Sequence, residues 1–285
     1  MSSSGPGSGR REEILAEFDA TMRRDPSVDP GERVERVGSI VRVVGTRAWI
    51  AYSGLSETEA PAAVRAEVER AHAEGIELEW KLFAHDSPRT LALLLEENGF
   101  APDPPETLMV LDLRASPEFG PPARDLVVER VSDPAGLERA CDVSRKAFPS
   151  GQGWDLDEYL LRLGTPTFEV FAARVGNETV SAGRLELPVG RAFASLWGGG
   201  TAPEFRGRGI YRALVAARVA LARARGYRYV TVDALATSRP ILERVGFQPL
   251  VGVVGWVRGP GDPLPSRDEN RSGGPGPTRT GTSSS

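Results

Sequence analysis

Apolar positions in the second half of the chain follow two periods. Ile210, Leu214, Ala217 and Leu221 recur at steps of four, three and four, one face of a helix predicted over 210–225. Arg212, Arg218, Arg223 and Arg225 fall mostly off that face. Upstream, apolar-rich runs at 168–175 and 180–187 flank Gly176-Asn177-Glu178-Thr179, a hairpin signal. Pro188-Val189-Gly190-Arg191 then turns the chain into a third strand, 192–197. A strand at 126–131 and one or two helices precede the hairpin. After the long helix come Gly226, a strand at 229–233, a short helix, Gly246-Phe247 and a closing strand at 247–257. A strand–helix–strand crossover within a mostly antiparallel sheet predicts an α/β class with a mixed, α+β-type sheet.

The first half shows the same order. Ala51-Tyr52-Ser53-Gly54-Leu55 leads into a helical stretch at 57–74, then Gly75, a strand at 76–83, a short helix, Gly99-Phe100 and a further strand. Two passes through one pattern predict duplication of an α/β unit. The Pro- and Gly-rich segment 115–122 separates them and reads as a linker. The expected organisation is an unstructured start, 1–10; a first domain, 11–115; a linker, 116–123; a second domain, 124–258; and an unstructured tail, 259–285.

Composition narrows the function. The 285 residues carry 35 Lys and Arg against 39 Asp and Glu, a net charge of −4. Without a positive excess, a phosphate-coating nucleic-acid partner is not expected. One cysteine, Cys141, forms no internal disulfide, and with only His72 and His85 no metal site is expected. No apolar run reaches 18 residues, and the Ser/Gly-rich start lacks the apolar stretch of a signal peptide. The expectation is a cytoplasmic protein, monomer or homodimer, with no membrane partner.

The segment richest in chemistry runs from Gly198-Gly199-Gly200 through Arg206-Gly207-Arg208-Gly209-Ile210-Tyr211. It leaves a strand and opens the long helix. Gly207 and Gly209 allow close backbone approach, the first helical turn presents unpaired N–H groups, and Arg206 and Arg208 add positive charge. These features predict an anion site for a phosphate or pyrophosphate. No Gly-Lys-Ser/Thr follows, and the Gly-x-Gly-x-x-Gly spacing is missing, so neither a Walker loop nor a dinucleotide fingerprint is present.

This loop, in this strand-to-helix context and with Gly246-Phe247 downstream, resembles the acyl-CoA loop of the GCN5-related N-acetyltransferase (GNAT) family. The resemblance covers about 124–258 and implies two tandem acyl-CoA N-acyltransferase-like domains, the first degenerate. Tyr211 stands where that family usually has Gly or Ala. The resemblance implies that N–H groups of Arg206, Gly207, Arg208, Gly209, Ile210 and Tyr211 hold the pyrophosphate of acetyl-CoA. It also implies that Trp197, Gly198 and Gly199 pair with the pantetheine arm. In the first half, Glu57 and Glu59 stand at the matching helix start, where acidic groups repel an anion.

The implied reaction moves an acetyl group to an amine acceptor, a small molecule or a peptide. Many family members place a Tyr four residues before Gly-Phe, and that position is Leu242 here. Candidate catalytic groups are therefore Glu186 and Asp233 as bases and Tyr211 as acid, with Tyr229 a further phenol. Two alternatives stay open: a catalytically silent acyl-CoA-binding or regulatory module, and an unrelated phosphate-binding enzyme. Cys141 on an apolar helix reads as a buried thiol, His85-Asp86 as a turn, and the five tryptophans as core or pocket wall. The segment 150–154 is a candidate lip over the acceptor.

Overall fold

The computed structural model describes residues 6–115, 117, 119–121, 125–149 and 154–264. The first half holds α1 (Pro6–Phe18), a π-helical turn (Asp19–Arg23), β1 (Arg33–Val37), β2 (Ile40–Val44), β3 (Ala48–Ser53), α2 (Ala60–Glu74), β4 (Leu78–Phe83), α3 (Leu91–Glu97), β5 (Ala101–Pro102) and β6 (Glu106–Asp112). The second holds β7 (Leu126–Val131), α4 (Pro134–Ala147), α5 (Leu156–Arg162), β8 (Phe168–Val175), β9 (Glu178–Glu186), β10 (Phe193–Thr201), a 3-10 turn (Pro203–Phe205), α6 (Ile210–Ala224), β11 (Tyr229–Leu235), α7 (Arg239–Arg244) and β12 (Gln248–Arg258). α1 starts at Pro6, so residues 6–10 belong to a helix rather than to an unstructured end. Arg10 there donates to the Tyr229 hydroxyl at 2.7 Å. At the other end Arg258 donates to the carbonyls of Asp262 and Pro263 and holds 259–264 in a turn. The remaining residues of both tails lie outside the described residues.

The repeat extends to hydrogen bonds. α2 and α6 both end on a left-handed glycine, Gly75 at φ +67° and Gly226 at φ +84°. Beyond them Ile76 donates to Ala71 O and Tyr227 to Ala222 O, the same closing bond. α3 and α7 end alike: Phe100 donates to Leu95 O and Phe247 to Leu242 O, past Gly99 and Gly246. Phe100 and Phe247 are both buried.

The two units share one sheet, in the order β1-β2-β3-β4-β12-β6-β11-β10-β9-β8-β7, with β5 pairing β12. Each unit's last strand lies in the other unit's half. β6 runs antiparallel to β11, with Asp112 opposite Tyr229 and Glu106 opposite Leu235. β12 runs antiparallel to β4, with Arg258 opposite Leu78 and Val253 opposite Phe83. β6 and β12 pair with each other at the centre.

Alternation along the central strands sorts the two faces. Met109, Leu111, Leu196 and Val232 pack into the core that includes Ile210 and Leu214 of α6, and Leu78 and Trp80 pack with Val64 and Val68 of α2. The opposite face meets α1: Ile14 and Phe18 pack on Phe83, Leu108, Phe193 and Val253, side chains from four strands of both units. α4 and α5 cover this face at the far side of the second unit, against Val170 and Ala172. A stretch of sheet between α1 and α5 stays open as a cleft. Among the described residues, no helix is long and apolar enough to cross a membrane, and no group of His, Cys, Asp and Glu could hold a metal ion.

Two predictions follow from the shared sheet. Met109 is fully buried on β6, and Met109→Ala should cost about 2–5 kcal/mol. Calorimetry should show one transition that moves down as a whole, because neither half keeps its sheet without the other's strand; two transitions would contradict the exchange. Glu106, also on β6, has its pKa raised to about 7 from 4.5 by burial and then by the carboxylates of Asp233, Glu79 and Asp103, against Lys81. The folded value lies above the unfolded one, so its contribution is present below about pH 4.5 and lost as pH rises through 7. Glu106→Gln should therefore match the wild type at pH 4 and be more stable by about 3 kcal/mol at pH 8, in urea titrations at both values.

Candidate active site

The long helix of the second unit starts without a side-chain cap. Its N-cap is Gly209, at φ +76°, and Gly207 two residues earlier is at φ +75°. α4 and α5 are by contrast capped by aspartates: Asp133 accepts from the Gly136 N–H, and Asp155 from those of Asp157 and Glu158. A Cβ at Gly207 would meet nothing within 4 Å, so the loop faces open space there. That space is a cleft of ≈ 1330 Å³ lined by Gly199, Gly200, the 205–212 loop, and Thr237, Ser238 and Ile241. Orphan N–H groups and the positive end of α6 point into a region that can take an elongated anion.

The two arginines of the loop are arranged differently from each other. Arg206 donates from Nε to Thr201 O and from a terminal nitrogen to Ala147 O, both at 3.1 Å, and so ties the loop to α4. Arg208 lies over the Phe205 ring at 5.2 Å and is exposed.

β10 and β11 are parallel neighbours only as far as Leu196 opposite Val232. Beyond that pair, β10 stays with β9 through a bulge between Trp197 and Gly200. Glycines make the bulge possible. Gly198 is at φ +54°, and a Cβ on it would collide with the Trp154 indole nitrogen. A Cβ on Gly200 would stand 2.6 Å from Ala147 Cβ. Arg218 of α6 lies beneath, fully buried, donating to Arg184 O at 3.1 Å and Trp197 O at 3.5 Å. Burial pushes its pKa down to about 10, with Tyr211 opposing. A Cβ on Gly183 or Gly199 would strike its guanidinium. Arg218 is thus a post that holds the carbonyls of β9 and β10 in place where β11 departs.

On the other face of the sheet, the open cleft has a volume of ≈ 260 Å³. Its floor is built across both units, from Arg184, Glu186, Trp197, Asp233, Lys81 and Trp49. Glu186 and Asp233, singled out from the sequence, therefore face one space, together with Trp197. Glu186 is closed onto Arg162, which also holds Asp29 at 2.9 Å. Burial raises the proton affinity of Glu186, against Arg162 and Arg184. Arg184 lies 3.6 Å from Glu186, and its guanidinium is 5.1 Å from the Tyr159 ring and 5.9 Å from that of Trp197. Asp233 is paired with Lys81, whose Nζ is 4.4 Å from the Trp197 ring centre.

Tyr211 is elsewhere. It lines the large cleft on the α6 side, hydrogen-bonded with Ser238, and burial keeps its phenol above the ordinary range. Leu242 is fully buried in the α6 core. Tyr229 stacks on Phe193 at 4.8 Å under α1. Cys141 is buried on α4, and burial pushes its thiol up. Asp86 accepts from the Phe83 N–H and from Arg23, and His85 contacts Asp19, so this pair closes a turn. Trp80, Trp154 and Trp256 are core; Trp49 and Trp197 line the cleft. The proposed lip falls on 150–153, outside the described residues.

Sequence reasoning missed Lys81, Arg162 and Arg184. The available signal was charge at alternate positions within apolar strands: Glu79 and Lys81 in Leu78–Phe83, and Arg184 and Glu186 in Glu178–Glu186.

Comparison with known proteins bears on the fold. Residues 137–247 match the family model of the acetyltransferase (GNAT) family. No curated protein matches the chain. Among solved structures, a GCN5-related N-acetyltransferase from Kribbella flavida is similar at TM-score 0.61 and 17% identity, over 91% of this chain and 98% of that one. A functionally unknown conserved protein from Staphylococcus epidermidis is similar at TM-score 0.62 and 15% identity, over 85% and 99%. A tandem GNAT protein from the clavulanic acid biosynthesis pathway is similar at TM-score 0.58 and 13% identity, over 92% and 98%. At these identities the likeness is one of fold. Residues 137–247 thus match the acetyltransferase (GNAT) family model, in a chain whose fold is that of a tandem GNAT structure.

Proposed function

We propose that the chain is an acetyl-CoA-dependent N-acetyltransferase whose second unit, 124–258, holds the cofactor and whose acceptor is an amine bound between the units. The observation that carries this reading is the uncapped start of α6, open to a large cleft and set beside the place where β10 and β11 part. The cofactor suits these residues. N–H groups from Arg206 to Tyr211 would hold its pyrophosphate, and the free edge of β10 at Trp197, Gly198 and Gly199 would hold its pantetheine arm as an added strand. Bound there, acetyl-CoA would supply the acetyl group as an activated thioester.

The first unit's matching helix start carries carboxylates of its own. Ser56 donates from its N–H at 3.0 Å and from its hydroxyl to the Glu59 carboxylate, and Glu57 accepts from Thr90. Pro61 lacks an N–H in the first turn of α2. An anion at that end would meet two carboxylates, which supports assigning the cofactor to the second unit alone.

In the acceptor cleft, Asp233 stands one residue past the last β10–β11 pair, at the mouth of the split. Its Oδ1 is buried without a hydrogen-bond partner among the described residues, so a lone pair is available to take a proton from an acceptor amine. Glu186, raised in proton affinity, also faces the cleft and acts through water. Tyr211, kept protonated by burial, is the phenol on the cofactor side. A second reading, a silent acyl-CoA-binding module, draws on the buried Leu242 at the family's usual Tyr position.

Calorimetry should show micromolar coenzyme A binding by the wild type. Gly209→Glu, which adds a negative side chain and strain at φ +76°, should weaken it at least tenfold, about 1.4 kcal/mol. Absence of binding by the folded wild type would refute the reading. Turnover of any member of an amine panel separates the enzyme from the silent module.

A further inference from the structure

Lys81 belongs to β4 of the first unit, yet its ammonium lies on the Asp233 carboxylate at the end of β11 in the second. Both are well buried, with side chains 15% and 6% exposed. The contact uses Asp233 Oδ2 and leaves Oδ1 buried and unpartnered. The Lys81 stem crosses the exchanged strands, and its Nζ sits against the Trp197 ring, at the residue where β10 turns away from β11.

Acidic groups stand around the pair: Glu79, on the same strand as Lys81, lines the cleft with Asp233, and Glu106 on β6 is driven toward protonation by Asp233. Arg184 faces the cleft from β9, but its nearest carboxylate is Glu186 at 3.6 Å, which Arg162 already holds. Arg23, near Phe18, is taken by Asp19 and Asp86. Among the described residues Lys81 is the one cation on Asp233. A buried carboxylate stripped of its sole cation takes up a proton rather than stay charged. A protonated Asp233 could not accept one from an amine.

We propose that Lys81 is a positioning residue through which the first unit completes the second unit's acceptor site: it holds Asp233 ionised and turns Oδ1 toward the acceptor amine. The proposal rests on the acetyltransferase reading. The amine proton passes to Asp233 Oδ1 as the amide bond forms and the thioester C–S bond breaks; that proton then goes, through solvent, to the leaving sulfur, so that amine and thioester become amide and thiol. No other reactant is needed beyond the acetyl donor and the amine. The unit without an open helix start is on this account part of the active site.

The test compares wild type, Lys81→Met, Lys81→Arg and Lys81→Met/Asp233→Asn in the full chain. Lys81→Met should bind coenzyme A within twofold of wild type while kcat for a turned-over amine falls at least tenfold at pH 7. The acid limb of its kcat/KM profile should move up by at least one pH unit, and Lys81→Arg should restore the limb. Urea unfolding supplies a readout independent of turnover. A buried carboxylate left without its cation destabilises the fold where it is charged, so Lys81→Met should lose stability relative to wild type as pH rises from 4 to 8, and the added Asp233→Asn should remove that slope. A Lys81→Met protein that binds coenzyme A with an unshifted pH profile, or one with no added pH dependence of stability, overturns the proposal. A wild type that fails to bind coenzyme A overturns the functional reading itself, and the proposal with it.

Discussion

β6 and β12 lie side by side at the middle of the sheet, and each is the final strand of the unit on its far side. The register of both half-sheets is set by a strand that arrives from the other half. α1 then packs across the seam, with Phe18 reaching Phe83 of β4 and Phe193 of β10. The floor of the cleft proposed for the acceptor is part of the same continuous face. Its charged positions come from β4 on one side and from β9 and β11 on the other, so their relative placement depends on the exchange.

The two units follow one design, and small changes at the helix starts separate them. The ends of α2 and α6 are nearly superimposable in their hydrogen bonding, down to the glycine and the bond that follows it. Their beginnings differ in sign. At α2, Ser56 and Glu59 satisfy each other and place negative charge on the positive end of the helix. At α6, Gly209 caps nothing and Gly207 leaves room. A helix start stabilised by its own carboxylate has little left to offer an anion, whereas one left open depends on a ligand. The bulged β10, with Arg218 beneath it, gives the second unit the split that the proposed cofactor requires.

Much of this was legible in the chain. The 3.6 period placed α6 within a residue, and the two Gly-Phe pairs marked equivalent turns in both halves. The order of elements revealed two units because each element carried a local signal. The exchange carried none: β6 and β12 are both apolar strands after a Gly-Phe turn, and nothing within either says which neighbour it joins. Residues 6–10 looked unstructured because glycine and serine dominate there, while tertiary contacts such as Arg10 with Tyr229 decide their state. Charged residues at alternate strand positions normally face water, so Lys81 and Arg184 drew no attention. In the folded chain that face is a cleft wall, enclosed by α1 from one unit and α5 from the other. Glu186 and Asp233 were reachable because they lie on the strands that flank β10.

The central claim is that one helix start of the two is open to the cofactor. Hydrogen exchange of the intact chain with and without saturating coenzyme A reads it directly, amide by amide. Protection is predicted at 198–200 and 207–212, with no change at 56–61. Protection at 56–61, or none at 207–212 when coenzyme A is bound, would contradict the account.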